Sequence, residues 1–197
     1  MSVDRVPPGM LRVATAQYHP EWMEDWQAFE RRIDRLISEA AHHGARLLVF
    51  PEYAAMELAS LFGTETCASL PAQLEAIQSL VPRYKHLFEV LTGRYAVYVL
   101  AGSIPVLDED GAYRNRAFLF GPDGIIGHQD KLQMTRFETE QWGISAGQDL
   151  KVFDTAFGRL AINICYDSEF PLLARDQIGR GADLLLVPSC TDTLAGY

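Results

Sequence analysis

Residues 46–53 read Arg-Leu-Leu-Val-Phe-Pro-Glu-Tyr. An apolar run of this length, bounded so sharply, reads as a buried strand. Pro51 stops it, because proline has no N–H to give to a ladder. Such a strand needs covering layers, and the preceding residues supply one. Trp22, Trp26, Phe29, Ile33, Leu36, Ile37 and Ala40 recur at spacings of three and four, forming one apolar face of an amphipathic helix. Gly44 then stands where a C-terminal cap glycine belongs. Outward from this unit the pattern repeats. Residues 11–17, 97–103, 160–164 and 183–187 read as strands, the last stopped by Pro188. Pro71 opens a helix, Pro82 divides the stretch up to Gly93 into two helical pieces, and Pro171 opens another reaching about Arg180. Residues 117–120 and 125–128 flank Gly121-Pro122-Asp123-Gly124, a hairpin signal. A second tight connection at 154–159 joins 152–153 to 160–164. Alternating strands and helices define an α/β layered fold, and the hairpin makes its sheet mixed. No GxGxxG or Walker sequence lies between a strand and a helix, so nucleotide binding has no local support.

The chain has 197 residues, which fits one domain able to bury a substantial core. Its net charge of −9 and the lack of a basic cluster exclude nucleic acid and anionic membrane surfaces as expected partners. No apolar stretch approaches the roughly 20 residues that span a bilayer, and no signal peptide is read at the N-terminus. Residues 1–10 are expected to be a flexible segment. The three cysteines, Cys67, Cys165 and Cys190, are odd in number and widely spaced, which gives neither a disulfide framework nor a zinc pattern. A reducing, cytoplasmic setting follows, and it suits a protein that needs a free thiol. No metal and no cofactor are expected.

Three strand ends carry unusual residues: Glu52 after the run at 46–51, Lys131 after residues 125–130, and Cys165 after residues 160–164. A strand end is where a rigid scaffold presents a side chain to a cleft. Taken singly, the cysteine reads as a small buried hydrophobe, the glutamate as a turn cap, and the lysine as a solvated surface group. Together they supply a nucleophile, a base and a cation, which acyl transfer from nitrogen requires.

The segments LLVFPEY at 47–53, HQDKLQMTRFE at 128–138 and INICYDSEFP at 162–171 strongly resemble the three signature segments of the nitrilase superfamily, the carbon–nitrogen hydrolases. The order Glu, Lys, Cys and the spacings agree. So do VATAQ at 13–17, Trp142-Gly143, Gly147 and GADLLLVPS at 181–189, so the resemblance covers nearly the whole chain. It implies an α-β-β-α sandwich of two face-to-face mixed sheets with helices outside, over residues 11–197. It also implies a catalytic set of Glu52 as general base, Lys131 as oxyanion stabiliser and Cys165 as nucleophile, with the Tyr166 backbone N–H as a second oxyanion donor. A supporting second glutamate matches Glu138, with Glu140 as its rival; either also reads as a charge on an exposed loop. His128, Asp130 and Tyr53 are expected to pack around these groups. Asp167 and Glu169 are read as loop hydrogen-bonders, Cys190 as a buried small residue, and Cys67 has no motif around it.

Nitrilases commonly place Trp and then Glu after the cysteine, where this chain has Tyr166 and Asp167. The resemblance therefore implies a small-molecule amide or N-carbamoyl substrate, with nitrile hydrolysis or a catalytically inactive interaction module as alternatives. It also implies a homo-oligomer, dimeric or larger. Family members usually run on past the segment corresponding to 192–197, so an incomplete domain is expected.

Overall fold

The computed structural model describes residues 10–191. The expected flexible segment at 1–10 lies, apart from Met10, outside the described residues, and so does the 192–197 boundary.

A six-stranded mixed sheet holds β1 (Val13–Thr15), β2 (Leu47–Val49), β3 (Tyr98–Leu100), β4 (Ile104–Leu107), β5 (Tyr113–Gly121) and β6 (Gly124–Asp130). Strands β1, β2 and β3 run parallel, and β5 runs antiparallel to β3, β4 and β6. A second sheet holds β7 (Val152–Thr155), β8 (Gly158–Ile162) and β9 (Leu184–Leu186), with β8 antiparallel to β7 and parallel to β9.

Alternation along the strands builds two cores. Leu48, Phe118 and Phe120 point to the helix side, while Leu47, Ala117 and Leu119 point to the second sheet. The helix-side core is closed by α1 (Trp26–His42), α3 (Leu70–Gln78) and α4 (Val81–Tyr95) through Phe29, Ile33, Ile77 and Phe88. The core between the sheets joins Leu47, Leu100 and Leu119 to Phe153, Leu160, Ile162 and Ile164. Helix α5 (Pro171–Gly179) lies on the second sheet, where Gln177 Nε2 donates to the Ile162 carbonyl. The layers are therefore helix, sheet, sheet, helix.

The differences from the sequence reading have local causes. Asp25 caps α1 by accepting the Ala28 N–H at 2.7 Å, so the helix starts at Trp26 and Trp22 is left outside it and exposed. Strand β4 was not expected, because it contains Pro105. It is tolerated at an edge position, where Gln78 satisfies the free side by accepting the Leu107 N–H and donating to the Pro105 carbonyl. The 3₁₀ helix at Ala54–Phe62, the short α2 (Thr64–Cys67) and the π-turn at Glu138–Trp142 carry no periodic signal and were also missed.

Candidate active site

Glu52 leaves β2 directly after Pro51. The chain there passes so close to the segment following β3 that a Cβ on Gly102, whose φ is +71°, would sit 2.2 Å from the Pro51 carbonyl oxygen. Only glycine permits that approach. It brings Ser103 into position to accept the Tyr53 N–H at 2.9 Å, and Tyr53 adopts a left-handed conformation, φ 56°. Lys131 leaves β6 with its N–H on the Asn115 carbonyl at 2.9 Å, and its own carbonyl accepts from Gly147 at 2.8 Å. Glu138 opens the π-turn and receives the Thr135 N–H and hydroxyl, each at 2.9 Å.

These elements converge on one buried cluster. The Lys131 ammonium is 1% exposed and bonds Glu52 Oε1 and Glu138 Oε2, each at 2.7 Å. Asn115 Nδ2 donates to Glu52 at 2.9 Å and to Glu138 at 3.2 Å, and the Tyr53 hydroxyl donates to Glu138 at 2.7 Å. One ammonium thus serves two carboxylates, with neutral donors supplying the remaining hydrogen bonds.

Cys165 follows β8 at φ 48°, a left-handed conformation that costs a non-glycine residue roughly 1–2 kcal/mol. Its N–H bonds the Pro188 carbonyl at 2.9 Å and its Sγ contacts the Cys190 carbonyl at 3.7 Å. Burial, with the neighbouring Glu52 charge, pushes the thiol up to about 11, so at neutral pH it is protonated. Burial also raises the Glu52 carboxyl, only partly offset by Lys131. For Glu138, hydrogen bonds from Lys131 and Tyr53 and the lysine charge outweigh burial, and its carboxyl is held below the usual range. Lys131 is held above its usual value despite burial, because both carboxylates favour the ammonium. Two glutamates on one lysine are therefore shifted in opposite directions, Glu52 towards higher proton affinity and Glu138 towards lower.

The structure brings Glu52, Lys131, Glu138 and Tyr53 together directly, with Cys165 beside Glu52. Glu140 is elsewhere, paired at the surface with Arg136 at 2.9 Å. His128 and Asp130 do not surround the site. They lie in a separate cluster, where Asp130 pairs with Arg116 at 2.6 Å and His128 sits 3.3 Å from Lys151 Nζ. Asp167 does bond backbone, as expected of it. The reading of Cys190 as buried is corrected: the chain leaves β9 past Pro188, and Cys190 is exposed. Cys67 packs against the helix-side core. Asn115 was missed. Its only signal is an amide on a strand face otherwise made of Ala117 and Leu119, a position where asparagine is depleted. Among the described residues no group of three or more His, Cys, Asp or Glu side chains is arranged to hold a metal ion, and no helix is long and apolar enough to cross a membrane.

Comparison with known proteins gives the family and the fold. The carbon-nitrogen hydrolase family profile matches residues 12–195, and the chain belongs to that family, within the nitrilase superfamily. The Bacillus subtilis protein named "Probable hydrolase YhcX" is 37% identical over 187 residues, covering 95% of this chain and 36% of that protein. An omega-amidase of Xenopus laevis is 28% identical over 171 residues, covering 82% of this chain and 58% of that one. The chain therefore spans well under two thirds of the length of these relatives. Among solved structures, an amidase from Nesterenkonia sp. superposes with a TM-score of 0.72 at 25% identity, over 98% of this chain and 70% of the amidase. A carbon-nitrogen hydrolase from Helicobacter pylori superposes with a TM-score of 0.75 at 21% identity, over 93% of this chain and 61% of the other, a likeness of fold.

Proposed function

We propose that this chain carries the active site of a hydrolase that cleaves the carbon–nitrogen bond of a small amide or N-carbamoyl compound through a Cys165 thioester. The observation that carries the proposal is the buried Lys131 ammonium held between Glu52 and Glu138 beside a strained cysteine. A resting thiol near 11 needs a base at the moment of attack. Glu52, with its raised carboxyl, is placed to take that proton. Sulfur adds to the carbonyl carbon, and the oxyanion meets the Lys131 ammonium and the Tyr166 N–H; one such donor contributes about 3 kcal/mol in the transition state. Collapse expels the amine with the proton returned by Glu52. Glu52 then activates water, which hydrolyses the thioester. Glu138 keeps the lysine charged and oriented. Supporting evidence comes from a relative: a mutant of the Nesterenkonia sp. amidase, 25% identical to this chain, shows covalent addition of the acetamide moiety of fluoroacetamide at its active site cysteine.

A panel of small amides, carbamoyl amines and nitriles assayed for ammonia release tests the proposal, with intact-protein mass spectrometry to detect an acyl adduct on Cys165. Amides or carbamoyl amines are expected to turn over. Preference for nitriles would move the assignment to the nitrilase reading, which a relative named nitrilase from Pyrococcus abyssi, 30% identical over 184 residues, keeps in view. No adduct and no ammonia with any substrate would leave an inactive module.

A further inference from the structure

Lys131 and Cys165 belong to different sheets: the lysine follows β6 of the first, the cysteine follows β8 of the second. Between the sheets lies an apolar core, whose contacts are close-packed but non-directional. Oxyanion stabilisation is sensitive to small displacements, because the donors must stand near 3 Å from where the charge develops. Hydrogen bonds that cross between the two elements add the directional constraint that packing lacks.

Asp167, two residues after the cysteine and 1% exposed, is built to do so. Its Oδ1 accepts the backbone N–H of Leu132 at 3.0 Å and of Gln133 at 2.7 Å, the two residues after Lys131. Its Oδ2 accepts the N–H of Ile164, the residue before Cys165, at 3.1 Å, and shares the Leu132 N–H at 3.3 Å. Oδ1 holds the lysine loop, and Oδ2 joins the cysteine turn to it. We propose that Asp167 is a positioning residue, a carboxylate latch that fixes Lys131 and the Tyr166 N–H relative to the Cys165 sulfur across the two sheets. This rests on the reading of Cys165 and Lys131 given above.

The energetics favour function over stability as its reason. Burial pushes the Asp167 carboxyl up to about 6, against the lowering by the Gln133, Ile164 and Leu132 N–H groups and by the Lys131 charge. A carboxyl raised above its unfolded value stabilises the fold below that unfolded value, and the contribution is lost as pH rises through about 6. At neutral pH the charged form therefore costs stability. An amide of the same shape would remove that cost, but it presents acceptor lone pairs on one side only. In either orientation its NH₂ would face an N–H donor, Gln133 of the lysine loop or Ile164 of the cysteine turn, so it cannot keep the full set of contacts.

The test is Asp167→Asn, measured beside wild type and Cys165→Ala. The expected result is a loss of about 100-fold in kcat, KM changed less than about threefold, and an unfolding temperature no lower than wild type. That split marks loss of transition-state contacts with substrate binding kept. Wild-type kcat in Asp167→Asn, or a rise in KM alone, overturns the latch. A kcat loss fully accounted for by unfolded protein overturns it too. If the variant does not fold, amide hydrogen exchange on the wild-type protein decides. Protection of the Leu132 and Gln133 amides should fall as pH drops through about 6, while those within β8 keep theirs; unchanged protection overturns the latch. Activity surviving in Cys165→Ala would instead defeat the reading of the site itself, so the two failures are distinguishable.

Discussion

The hairpin of β5 and β6 serves two polar clusters, one on each face. Inward, Asn115 and Lys131 meet Glu52, Glu138 and Tyr53. Outward, Arg116 binds Asp130 through two hydrogen bonds, at 2.6 and 2.9 Å, and Asp108 at 2.9 Å, while Arg114 pairs with Asp110. The outer cluster opens on a cavity of about 370 Å³ whose lining also includes Lys151 and Asp149. Its Asp108 side chain is 36% exposed, so water shares the work of solvation. The inner ions are at most 3% exposed. There, removing Lys131 would leave two buried carboxylates without a counter-charge. Similar residue types thus make a partly solvated network on one face, with Arg116 and Asp130 12% and 14% exposed, and a fully buried, unevenly poised cluster on the other.

The largest expected effect lies on the inner side. Cys165→Ala should reduce kcat by on the order of 10⁴-fold or more and leave the unfolding temperature within a few degrees, because the volume removed is small and the alanine meets the same backbone demand. Cys67→Ala and Cys190→Ala should keep most activity. Steady-state ammonia release with thermal unfolding of each variant reads this out, and more than a few per cent of activity in Cys165→Ala would remove the residue from its role.

Lys131→Ala should combine both kinds of damage. It leaves two buried carboxylates without their cation, at a cost of about 3 kcal/mol or more in stability, and kcat falls by about 100-fold or more. Lys131→Arg should not restore turnover, since a planar guanidinium cannot replace a compact ammonium between two carboxylates. Near-wild-type kcat in the arginine variant would show that any positive charge suffices.

Within the cluster, the two glutamates should separate. Glu52→Gln keeps the shape but cannot accept a proton, so little acyl-enzyme and little ammonia should form. Glu138→Gln should retain a measurable rate, its proposed part being support. Their acid stabilities should differ in sign. Glu138, held below the usual range, contributes stability above its unfolded value that is lost as pH falls through the folded one. Glu52, held above, contributes below its unfolded value and loses this as pH rises through the folded one. Denaturation of each variant across pH reads these slopes, and a more damaged Glu138 variant would exchange base and helper.

The smallest effect belongs to the outer face. Arg116→Met should cost about 1 kcal/mol and leave kcat within about twofold. A loss comparable to Lys131→Ala would mean that the outer cluster holds the hairpin in place for the site, and the contrast between the faces would collapse.

Much of the fold was legible because it rests on repeating patterns. The run at 46–50 told of a buried strand, and the structure adds that Leu47 and Leu48 fill different cores. The helix-face residues Trp26, Phe29, Ile33 and Ile37 are all buried. Both tight connections, at 121–124 and 154–159, are hairpins. What escaped has no period. Pro105 masks an edge strand, the 3₁₀ helix is apolar almost all along its length, the π-turn is too short to repeat, and Asn115 looks like an unwelcome amide until the carboxylates it serves come from 63 and 23 residues away.

The sequence by itself determined which groups with chemical capacity stand at strand ends, because strand termination and residue type are local properties. It could not tell Glu138 from Glu140, two residues apart on one loop. That choice follows from the π-turn, which buries one beneath Thr135 and Tyr53 and leaves the other against Arg136 in solvent. Nor could it give the different protonation tendencies of Glu52 and Glu138, or the strain at Cys165. Those depend on which donors arrive from distant strands and how completely water is excluded, and electrostatic energies in a buried cluster are set by that three-dimensional arrangement.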